Sequence, residues 1–468
     1  MRVLLLNPPC ADGRRYVREG RCTHPTSFWG TAWPPYTLAM LGARLRMRGH
    51  VARLLDAAVG DVKWADLPEV VTAFRPDAAI VAVSAPTFPS DIEAIDRIRR
   101  CAPACRIGVI GVHPTAEPDR YLSGDQCADF AVRGEPELTV DAAIGDDSSI
   151  SPAPGLSVRA GNRIIHGPDR PVELDVSSLG RPDWDLVNVG RYRMPFSRRP
   201  FLPVLTSRGC PHSCTFCAQR LYYGSSVRTR RPIDIAEEIE ELRGRFGVRD
   251  FFLWSECFSA DREHAFAVCE ALRRLKGISW VATTRADCVD PGLLREMRSA
   301  GCRLVGFGFE SGSQAILDAC RKGHSVEDSI RAAKWAREAG LLVLGHFVFG
   351  LPGETDVTAR ATLDMALAMG VDFAQFYCAA PYPGTELYDS WRASDGTSRT
   401  VITQERACMA TEALTQRQID RWRRRAYLRF YARPRAALLP ARVALRIRSS
   451  SQVVARPSDV RKAGEACE

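Results

Sequence analysis

The sequence contains no apolar run long enough to cross a membrane. A spanning helix needs roughly 18 to 20 consecutive apolar residues, and no segment of the 468-residue chain approaches that length. The apolar stretch at residues 3–6 is soon interrupted by Pro8 and Pro9, which makes it too short for a secretory signal. We therefore expect a cytoplasmic protein.

The sequence also lacks the character of a disulfide-stabilised secreted domain. It is long enough to bury a large apolar core, so its 16 cysteines are not needed as a covalent framework. In a reducing compartment most of them are expected to be small buried residues. Any cysteine that takes part in chemistry should therefore stand out by its spacing.

A general excess of positive charge is absent as well. The net charge of +9 comes from one segment, because residues 417–448 hold eleven arginines and a single acid, Asp420. The rest of the chain is close to neutral. This distribution argues against a nucleic-acid-binding surface spread over the whole protein.

Short apolar segments alternate with helical patterns over residues 1–145. Five of them are predicted to be strands, at residues 3–6, 52–55, 78–83, 107–110 and 129–132. Their apolar residues are continuous rather than alternating, which indicates a parallel sheet covered on both faces. The pattern predicts a doubly wound, Rossmann-like α/β domain whose ligand lies beyond the carboxyl ends of the strands.

The strand–helix rhythm stops and then returns. Residues 146–200 contain clustered Asp, Ser, Pro and Gly and are predicted to be a linker. Residues 201–390 predict a partial, TIM-like (β/α)6 barrel, with chemistry at the carboxyl ends of its strands. The six strands are expected at residues 202–206, 250–254, 280–284, 304–309, 342–349 and 372–377. Residues 391–468 are predicted to be a basic, helical C-terminal region.

Three cysteines with a distinctive spacing follow the first barrel strand. Cys210, Cys214 and Cys217 form C-x3-C-x2-C in one loop, and thiolates are the usual ligands of iron–sulfur clusters. No other cysteines repeat such a motif, so one iron of a [4Fe–4S] cluster would keep an open position, as catalytic zinc does. The alternative is a zinc site or three buried cysteines.

This motif, at the first strand of a partial barrel, resembles the radical S-adenosylmethionine (SAM) superfamily. The resemblance implies that the cluster binds SAM and cleaves it to methionine and a 5′-deoxyadenosyl radical. It also implies that Phe216 lies along the adenine of SAM. For each single residue beyond the cysteines, a structural turn or a solvated charge is an equally good interpretation.

Further strand ends resemble the same superfamily. Glu256 would lie near the methionyl amino group, Glu310 near the ribose, and Arg285 near the SAM carboxylate, which a guanidinium suits. Residues 350–355, Gly-Leu-Pro-Gly-Glu-Thr, resemble the family's turn after the fifth strand. Four strand ends in register make a chance match implausible.

The loops of the first domain resemble the cobalamin-binding domain found in many radical SAM enzymes. They lie at residues 7–9, 84–88, 111–115 and 133–137, and the resemblance implies cofactor contacts from Asn7, Ser84, Thr87, Gly111, His113 and Glu135. The loop after the first strand has no histidine, so bound cobalamin is expected to lack a histidine lower ligand. A structural role is the alternative for His113, and an empty Rossmann-like domain is the alternative for the whole region.

The resemblance covers residues 1 to about 390 and implies a cobalamin-dependent radical SAM methyltransferase. Its cofactors would be a [4Fe–4S] cluster, SAM and cobalamin. Methyl would pass from SAM through methylcobalamin to an unactivated carbon of a small molecule, such as a secondary metabolite, and a flavodoxin- or ferredoxin-type donor would supply electrons. The alternatives are a radical cyclase, oxidase or rearrangement enzyme without methyl transfer, and a non-catalytic iron–sulfur electron-transfer protein.

The basic segment 417–448 has several interpretations. Its mixture of aromatic residues and arginines is typical of interfacial helices, which predicts peripheral contact with an anionic membrane. An anionic or lipid-linked substrate could use the same charges. A solvated helix that packs on the barrel is the favoured alternative, and RNA binding is the weakest.

Overall fold

The computed structural model describes residues 1–19, 22–26, 31–124, 127–145, 152–195, 197–394 and 401–434. Within these ranges no helix has both the length and the apolarity that a membrane span requires. The strands belong to two large sheets and two short antiparallel ribbons. The helices are α1 (Tyr36–Met47), α2 (Leu67–Phe74), α3 (Phe88–Cys101), α4 (Val112–Ala116), α5 (Asp119–Leu122), α6 (Pro136–Ala143), α7 (Gln219–Tyr223), α8 (Pro232–Phe246), α9 (Arg262–Arg273), α10 (Pro291–Ser299), α11 (Gln314–Ala319), α12 (Val326–Glu338), α13 (Asp356–Ala368), α14 (Glu386–Ser394) and α15 (Gln416–Tyr431).

The first large sheet is the predicted doubly wound domain. Its strands and the ribbon beside it are β1 (Arg2–Asn7), β2 (Tyr16–Glu19), β3 (Cys22–Pro25), β4 (Val51–Asp56), β5 (Ala78–Ala82), β6 (Arg106–Ile110), β7 (Phe130–Val132), β8 (Leu156–Ala160) and β9 (Arg163–His166). The order β4-β1-β5-β6-β7 is parallel, whereas β2 and β3 form a separate antiparallel ribbon. The Rossmann-like prediction is therefore confirmed.

Two apolar cores explain why these strands are apolar without alternation. Val3 and Leu5 of β1 pack into one core, while Leu4 and Leu6 pack into the other. Successive side chains of a strand point to opposite faces, so a sheet with helices on both faces needs apolar residues at every position. The continuous apolar sequence of these strands therefore follows from the burial of both faces of the sheet.

The segment predicted as a linker contributes to the first sheet. β8 pairs antiparallel with β7, and β9 pairs with β8, which extends the sheet to seven strands. Leu156 and Val158 are buried on one side, but most of β9 is exposed. Such short, half-exposed edge strands give little apolar signal, so the sequence pattern indicated only a linker over 146–200.

The second large sheet is a six-stranded partial barrel. Its strands are β10 (Phe201–Leu205), β13 (Asp250–Trp254), β14 (Ser279–Thr284), β15 (Cys302–Glu310), β16 (Leu342–Phe349) and β17 (Phe373–Cys378), all parallel and in chain order. A two-stranded ribbon, β11 (Ser207–Arg208) and β12 (Arg228–Thr229), follows β10. The (β/α)6 prediction is confirmed, and its six strands were located to within two residues at each end.

The two faces of the barrel strands have different surroundings. Alternate residues such as Val305, Phe307 and Phe376 pack in the core that contains the outer helices. The residues between them, for instance Thr283, His346 and Tyr377, point to the inner side and are only half-buried. This inner face is the lumen of the partial barrel, and it is accessible to solvent.

Helix α15 covers the edge strand β17. Among the strands described, β17 pairs only with β16 and leaves one backbone edge without a strand partner. The Tyr431 hydroxyl accepts from the Ala374 N–H at 3.2 Å and donates to the carbonyl of the same residue at 2.9 Å. The Tyr427 hydroxyl accepts from the Phe376 N–H at 3.2 Å. Side chains of α15 thus replace the missing strand.

This packing supports, for the described part of the basic segment, the interpretation of a helix that packs on the barrel. Ile419, Trp422, Ala426 and Phe430 are buried against the barrel, so the apolar face of α15 does not remain available to enter a membrane. The exposed face carries Arg417, Arg421, Arg424, Arg425 and Arg429. Residues 435–448, the rest of the segment, lie outside the described residues.

We expect the double variant Tyr427→Phe/Tyr431→Phe to loosen β17. It removes two hydroxyls but keeps both rings, so two buried N–H groups lose a partner at about 1 kcal/mol each. Hydrogen–deuterium exchange in a peptide covering β17 should accelerate by about tenfold or more. Leu428→Gln, at a position that is 73% exposed, is the matched control and should exchange like the wild type. Unchanged exchange in the double variant would contradict the proposed edge cover.

Candidate active site

The three motif cysteines lie in a loop whose backbone is fixed on both sides. They are half-buried, between β11 and α7. Gly209, just before Cys210, has φ +87°, and a Cβ there would lie 2.0 Å from the carbonyl oxygen of Ser226. Only glycine fits this approach. The Thr215 N–H donates to the Cys320 carbonyl at 3.1 Å, which attaches the loop to the segment after β15.

Glu256 and Glu310, two carboxylates predicted to contact SAM, are buried at the ends of β13 and β15, the two strands that flank β14. Glu256 follows β13 and accepts from the Gly209 N–H at 3.0 Å, so it also holds the cysteine loop. Glu310 ends β15 with φ +61° and pairs with Lys322 Nζ at 2.8 Å. Lys322 is buried too and was not predicted, because nothing in its local pattern distinguishes it from a surface lysine.

Arg285 lies beside the cysteine loop. Its guanidinium forms two 2.9 Å hydrogen bonds with Asp287 and approaches Cys214 Sγ at 3.7 Å. Burial alone would raise the pKa of Asp287, but the hydrogen bonds from Arg285 hold it below its ordinary value. The guanidinium of Arg285 therefore contacts both the Asp287 carboxylate and the motif cysteine Cys214.

Phe216 and the Gly-Leu-Pro-Gly-Glu-Thr turn meet in one apolar group. Phe216 packs against a cluster that contains Leu351 of the turn and Ile316 of α11. Glu354 of the turn is fully buried and accepts from the Gly350 N–H, but its Oε1 has no hydrogen-bond partner among the described residues. Burial raises the pKa of Glu354 to about 8. The neutral acid is thus its favoured form near neutrality.

A buried polar network joins the ends of β1 and β5. Arg18 donates to Asn7 Oδ1 at 2.7 Å, to Thr87 Oγ1 at 3.0 Å and to Asp91 Oδ1 at 2.8 Å. Ser84 and Thr87 hydroxyls lie 2.7 Å apart, and the Ser84 N–H donates to Asp91. Three predicted cofactor residues, Asn7, Ser84 and Thr87, therefore belong to one network. Its central pair, Arg18 and Asp91, was not predicted from the sequence.

A pocket opens in front of that network, at the carboxyl ends of β5 and β6. The first domain contributes small, polar or short apolar residues to its wall, among them Ala82, Ser84, Ala85, Ile110, Gly111 and His113. Tyr222, Tyr382 and Pro383 of the barrel form the other wall. Gly111 has φ +132°, and a Cβ there would lie 2.6 Å from the Val83 carbonyl. Asn7 and Thr87 lie behind the wall rather than in it.

His113 is held by the protein through both ring nitrogens. Nδ1 lies 2.6 Å from the Tyr121 hydroxyl and Nε2 lies 3.3 Å from Glu117 Oε2. Its ring also packs edge-on against Phe88 and Tyr121. This geometry favours the structural role, and the neighbouring first-strand loop has no histidine.

We therefore expect cob(II)alamin bound to this protein to show no nitrogen coupling from histidine in its electron paramagnetic resonance spectrum. Both nitrogens of His113 are already engaged, so the ring would have to break two contacts to reach cobalt. His113→Ala should give the same spectrum. A histidine coupling that disappears in His113→Ala would contradict this assignment.

Glu135 lies away from the pocket that contains Ser84 and Gly111. It pairs with Arg208 at 3.3 Å and with Arg228, both from the ribbon after β10. Glu137 pairs with Arg208 as well, at 3.1 Å. These side chains are almost completely buried. Glu135, which was predicted to contact the cofactor, thus belongs to an ion-pair network that joins α6 of the first domain to the barrel. It lines the edge of a neighbouring cavity.

Comparisons with known proteins match both parts of this architecture. The family model "Radical SAM superfamily" matches residues 204–366, and the "B12 binding domain" model matches residues 29–144. An uncharacterized methyltransferase of Pyrococcus horikoshii is 30% identical over 457 residues, which cover 94% of each chain. The chain belongs to the cobalamin-dependent radical SAM methyltransferase family. The family's cofactors are a [4Fe–4S] cluster, SAM and cobalamin.

Other proteins similar to this chain have different printed activities. An anaerobic magnesium-protoporphyrin IX monomethyl ester cyclase of Cereibacter sphaeroides is 29% identical over 79% of this chain and 63% of its own. The radical SAM methyltransferase TsrM of Kitasatospora setae, solved with cobalamin and a [4Fe–4S] cluster, has the same fold. Its TM-score is 0.65, with 21% identity over 84% of this chain and 75% of that one.

The residues present fit these cofactors. Three thiols in one accessible loop are a suitable donor set for a [4Fe–4S] cluster with one open iron. Gly111, where any side chain would collide with Val83, and the small residues near it allow a ligand to approach the backbone closely at the sheet end. Such a position, beyond the carboxyl ends of parallel strands, is where doubly wound sheets bind ligands.

Proposed function

We propose that the protein methylates an unactivated carbon of a small molecule bound in the barrel lumen. When bound, the cluster with SAM supplies the radical that removes a hydrogen atom, and cobalamin supplies the methyl group. The observation that carries this proposal is the pocket shared between domains. Its far wall, Tyr222, Tyr382 and Pro383, belongs to the barrel, so a ligand of the first domain would face the barrel mouth.

The residue roles in this proposal follow the contacts. Cys210, Cys214 and Cys217 would ligate the cluster, with Arg285 beside Cys214. Glu256 and Glu310 would bind the amino group and the ribose of SAM, since both are buried at strand ends beside the cysteine loop or the segment attached to it.

The adenine and cobalamin contacts follow the apolar packing and the pocket wall. Phe216 would lie along the adenine, a role that its apolar surroundings support. Ser84, Gly111 and His113 would contact cobalamin from the pocket wall. Asn7 and Thr87 would position that wall through Arg18.

The lumen face suggests where the substrate binds and what it resembles. His346 Nδ1 lies 2.9 Å from the Tyr377 hydroxyl, and their rings stack on the inner face of β16 and β17. Gly306 lies close by on the neighbouring strand β15, where an added Cβ would be 3.3 Å from His346 Nε2. Leu304, Leu342, Leu344 and Phe373 form an apolar cluster on the same face. A mainly apolar substrate with one hydrogen-bonding group near the reacting carbon fits this surface.

We expect His346→Gln to lower methylation of the acceptor by about tenfold, the effect of losing roughly 1.4 kcal/mol of substrate binding or orientation. Formation of 5′-deoxyadenosine without acceptor should stay at the wild-type rate, because His346 has no place in the cluster loop. Equal loss of both activities would contradict a role on the substrate side.

The proposal also needs an external one-electron donor of the flavodoxin or ferredoxin type, because the described residues offer no second cluster motif to deliver electrons. The exposed arginines of α15 would contact an anionic surface through charge alone. Flotation with acidic vesicles at low salt, lost at high salt, would support such contact.

A radical cyclase is the second candidate, and the similarity to the magnesium-protoporphyrin cyclase favours it. Anaerobic turnover with methyl-deuterated SAM and a panel of tetrapyrrole and smaller aromatic acceptors separates the two. A methyltransferase transfers the trideuterated methyl group to the acceptor. A cyclase changes the acceptor without adding deuterium, and that result would replace the proposal.

A further inference from the structure

A second group of metal-binding side chains lies beside the cysteine loop. His212 is within the loop, and Asp287 and Cys288 follow β14. Cys288 Sγ lies 3.9 Å from His212 Nε2 and 3.9 Å from Asp287 Oδ1. One donor atom from each residue lies within 4.8 Å of the other two. Within the described part of the chain, this is the group of three His, Cys, Asp or Glu residues whose donor atoms lie that close together.

The spacing fits a single ion rather than a cluster. Ligand atoms 2.0 to 2.3 Å from zinc in a tetrahedral site are separated from one another by about 3.3 to 3.8 Å. The two 3.9 Å separations lie just beyond that range, so small side-chain rotations would complete the site. Cysteine, histidine and aspartate are all common zinc ligands, whereas calcium and magnesium prefer oxygen alone.

Charge and access fit the same ion. A thiolate and a carboxylate supply two negative charges to a divalent cation, with the Arg285 guanidinium as the neighbouring positive charge. Asp287 is exposed, and His212 and Cys288 are half-buried, so an ion can enter and water can take the fourth position. Arg285 holds both oxygens of Asp287 at 2.9 Å. A hydrogen bond that orients a ligating carboxylate is typical of zinc sites.

We propose that His212, Asp287 and Cys288 bind one zinc ion beside the cluster. The three residues come from two segments, the cysteine loop and the end of β14, so the ion would tie the loop to the barrel. Its role would be structural, and it would be independent of the reaction that the enzyme performs. Methyl transfer and cyclisation are equally compatible with it.

The test is metal analysis of the holoenzyme. Protein with its reconstituted cluster is incubated anaerobically with one equivalent of Zn²⁺, desalted, and analysed for zinc and iron. We expect about one zinc per chain with iron unchanged. Cys288→Ser and His212→Asn should each hold at least fivefold less zinc while keeping their iron. Cys101→Ser, at another half-buried cysteine in α3, should hold as much zinc as the wild type.

One further variant shows which cysteines hold the ion. In Cys210→Ala/Cys214→Ala/Cys217→Ala the proposed zinc site remains, so that protein should still bind about one zinc, and adding Cys288→Ser should abolish it. The proposal is wrong if the wild type binds no zinc, if Cys288→Ser retains it, or if zinc disappears with the three cluster cysteines.

Discussion

Replacing Cys210, Cys214 and Cys217 together by alanine is expected to remove almost all iron from the protein. One [4Fe–4S] cluster accounts for about four iron atoms per chain, and its protein ligands would be these three thiolates. Formation of 5′-deoxyadenosine from SAM should fall to background in the same variant, because no site remains to reduce SAM. Iron analysis after anaerobic reconstitution measures the first effect, and product chromatography measures the second.

The matched control for this variant is Cys101→Ala. Cys101 is also half-buried, but it lies in α3 of the first domain, away from the barrel. It should keep about four iron atoms per chain. If the triple variant retained its iron while folding normally, the assignment of the cluster to this loop would fail.

Glu137→Gln and Glu354→Gln are expected to have opposite effects on stability, although the chemical change is the same. Glu137 and Arg208 form an ion pair in which both side chains are at most 2% exposed. Removing one charge from such a buried pair costs up to about 3–5 kcal/mol, and of the described residues Arg208 keeps only Glu135, at 3.3 Å, to compensate its charge. The thermal midpoint of Glu137→Gln should fall by about 3–5 °C, because the unfolding entropy of a chain of 468 residues is about 1 kcal/mol/K.

Within the described part of the chain, only burial and the Gly350 N–H affect the pKa of Glu354, and no cation does. Glutamine resembles the neutral form of this side chain. Burial raises the pKa of Glu354 to about 8, so the folded protein keeps the proton at pH values where the unfolded chain has lost it. The stability that this proton contributes is complete below the ordinary pKa of glutamate and declines as pH rises towards about 8. Glu354→Gln should remove that decline and be as stable as wild type, or more so, above pH 8.

The pH dependence of the Glu137 pair has the opposite sign. Burial alone would raise the pKa of Glu137, but the charge of Arg208 outweighs burial and lowers it. The pair therefore stabilises the fold above the ordinary pKa of glutamate and loses this effect as pH falls. Thermal midpoints of both variants across about pH 3–9 check the two signs together, because the Glu137 effect is lost below the ordinary glutamate pKa and the Glu354 effect is lost above it. A loss of stability in Glu354→Gln as large as in Glu137→Gln would contradict this account.

The sequence predicted those elements whose signal lies within a short stretch of the chain. β15 was expected at residues 304–309 and spans Cys302–Glu310, because a short apolar run bounded by polar residues is itself a strand signal. The cysteine loop was located for a similar reason, because all three motif cysteines lie within eight consecutive residues. Both signals can be found without knowledge of the rest of the chain.

The contacts that hold the site together depend on distant residues and were not predictable. Arg18 meets Asp91 from 73 positions away, and Arg208 meets Glu137 from 71. Spacing along the chain gives no signal for such pairs. For the same reason Glu135 was expected in the cofactor pocket, whereas it forms ion pairs with Arg208 and Arg228.

The basic helix shows a different limit. An amphipathic segment rich in Arg, Trp and Tyr satisfies both a membrane interface and an exposed strand edge. Only the tertiary structure shows that Tyr427 and Tyr431 reach the backbone of β17. The sequence pattern correctly indicated an amphipathic helix but could not identify the surface that it covers.

The measurement that tests the central claim most directly is the ratio of the two SAM-derived products during anaerobic turnover with acceptor. A cobalamin-dependent radical methyltransferase consumes one SAM as methyl donor and another as radical source. S-adenosylhomocysteine and 5′-deoxyadenosine should therefore form in equal amounts, and omission of cobalamin should abolish the first. Formation of 5′-deoxyadenosine with product, but without S-adenosylhomocysteine, would show that this protein performs a radical reaction other than methyl transfer.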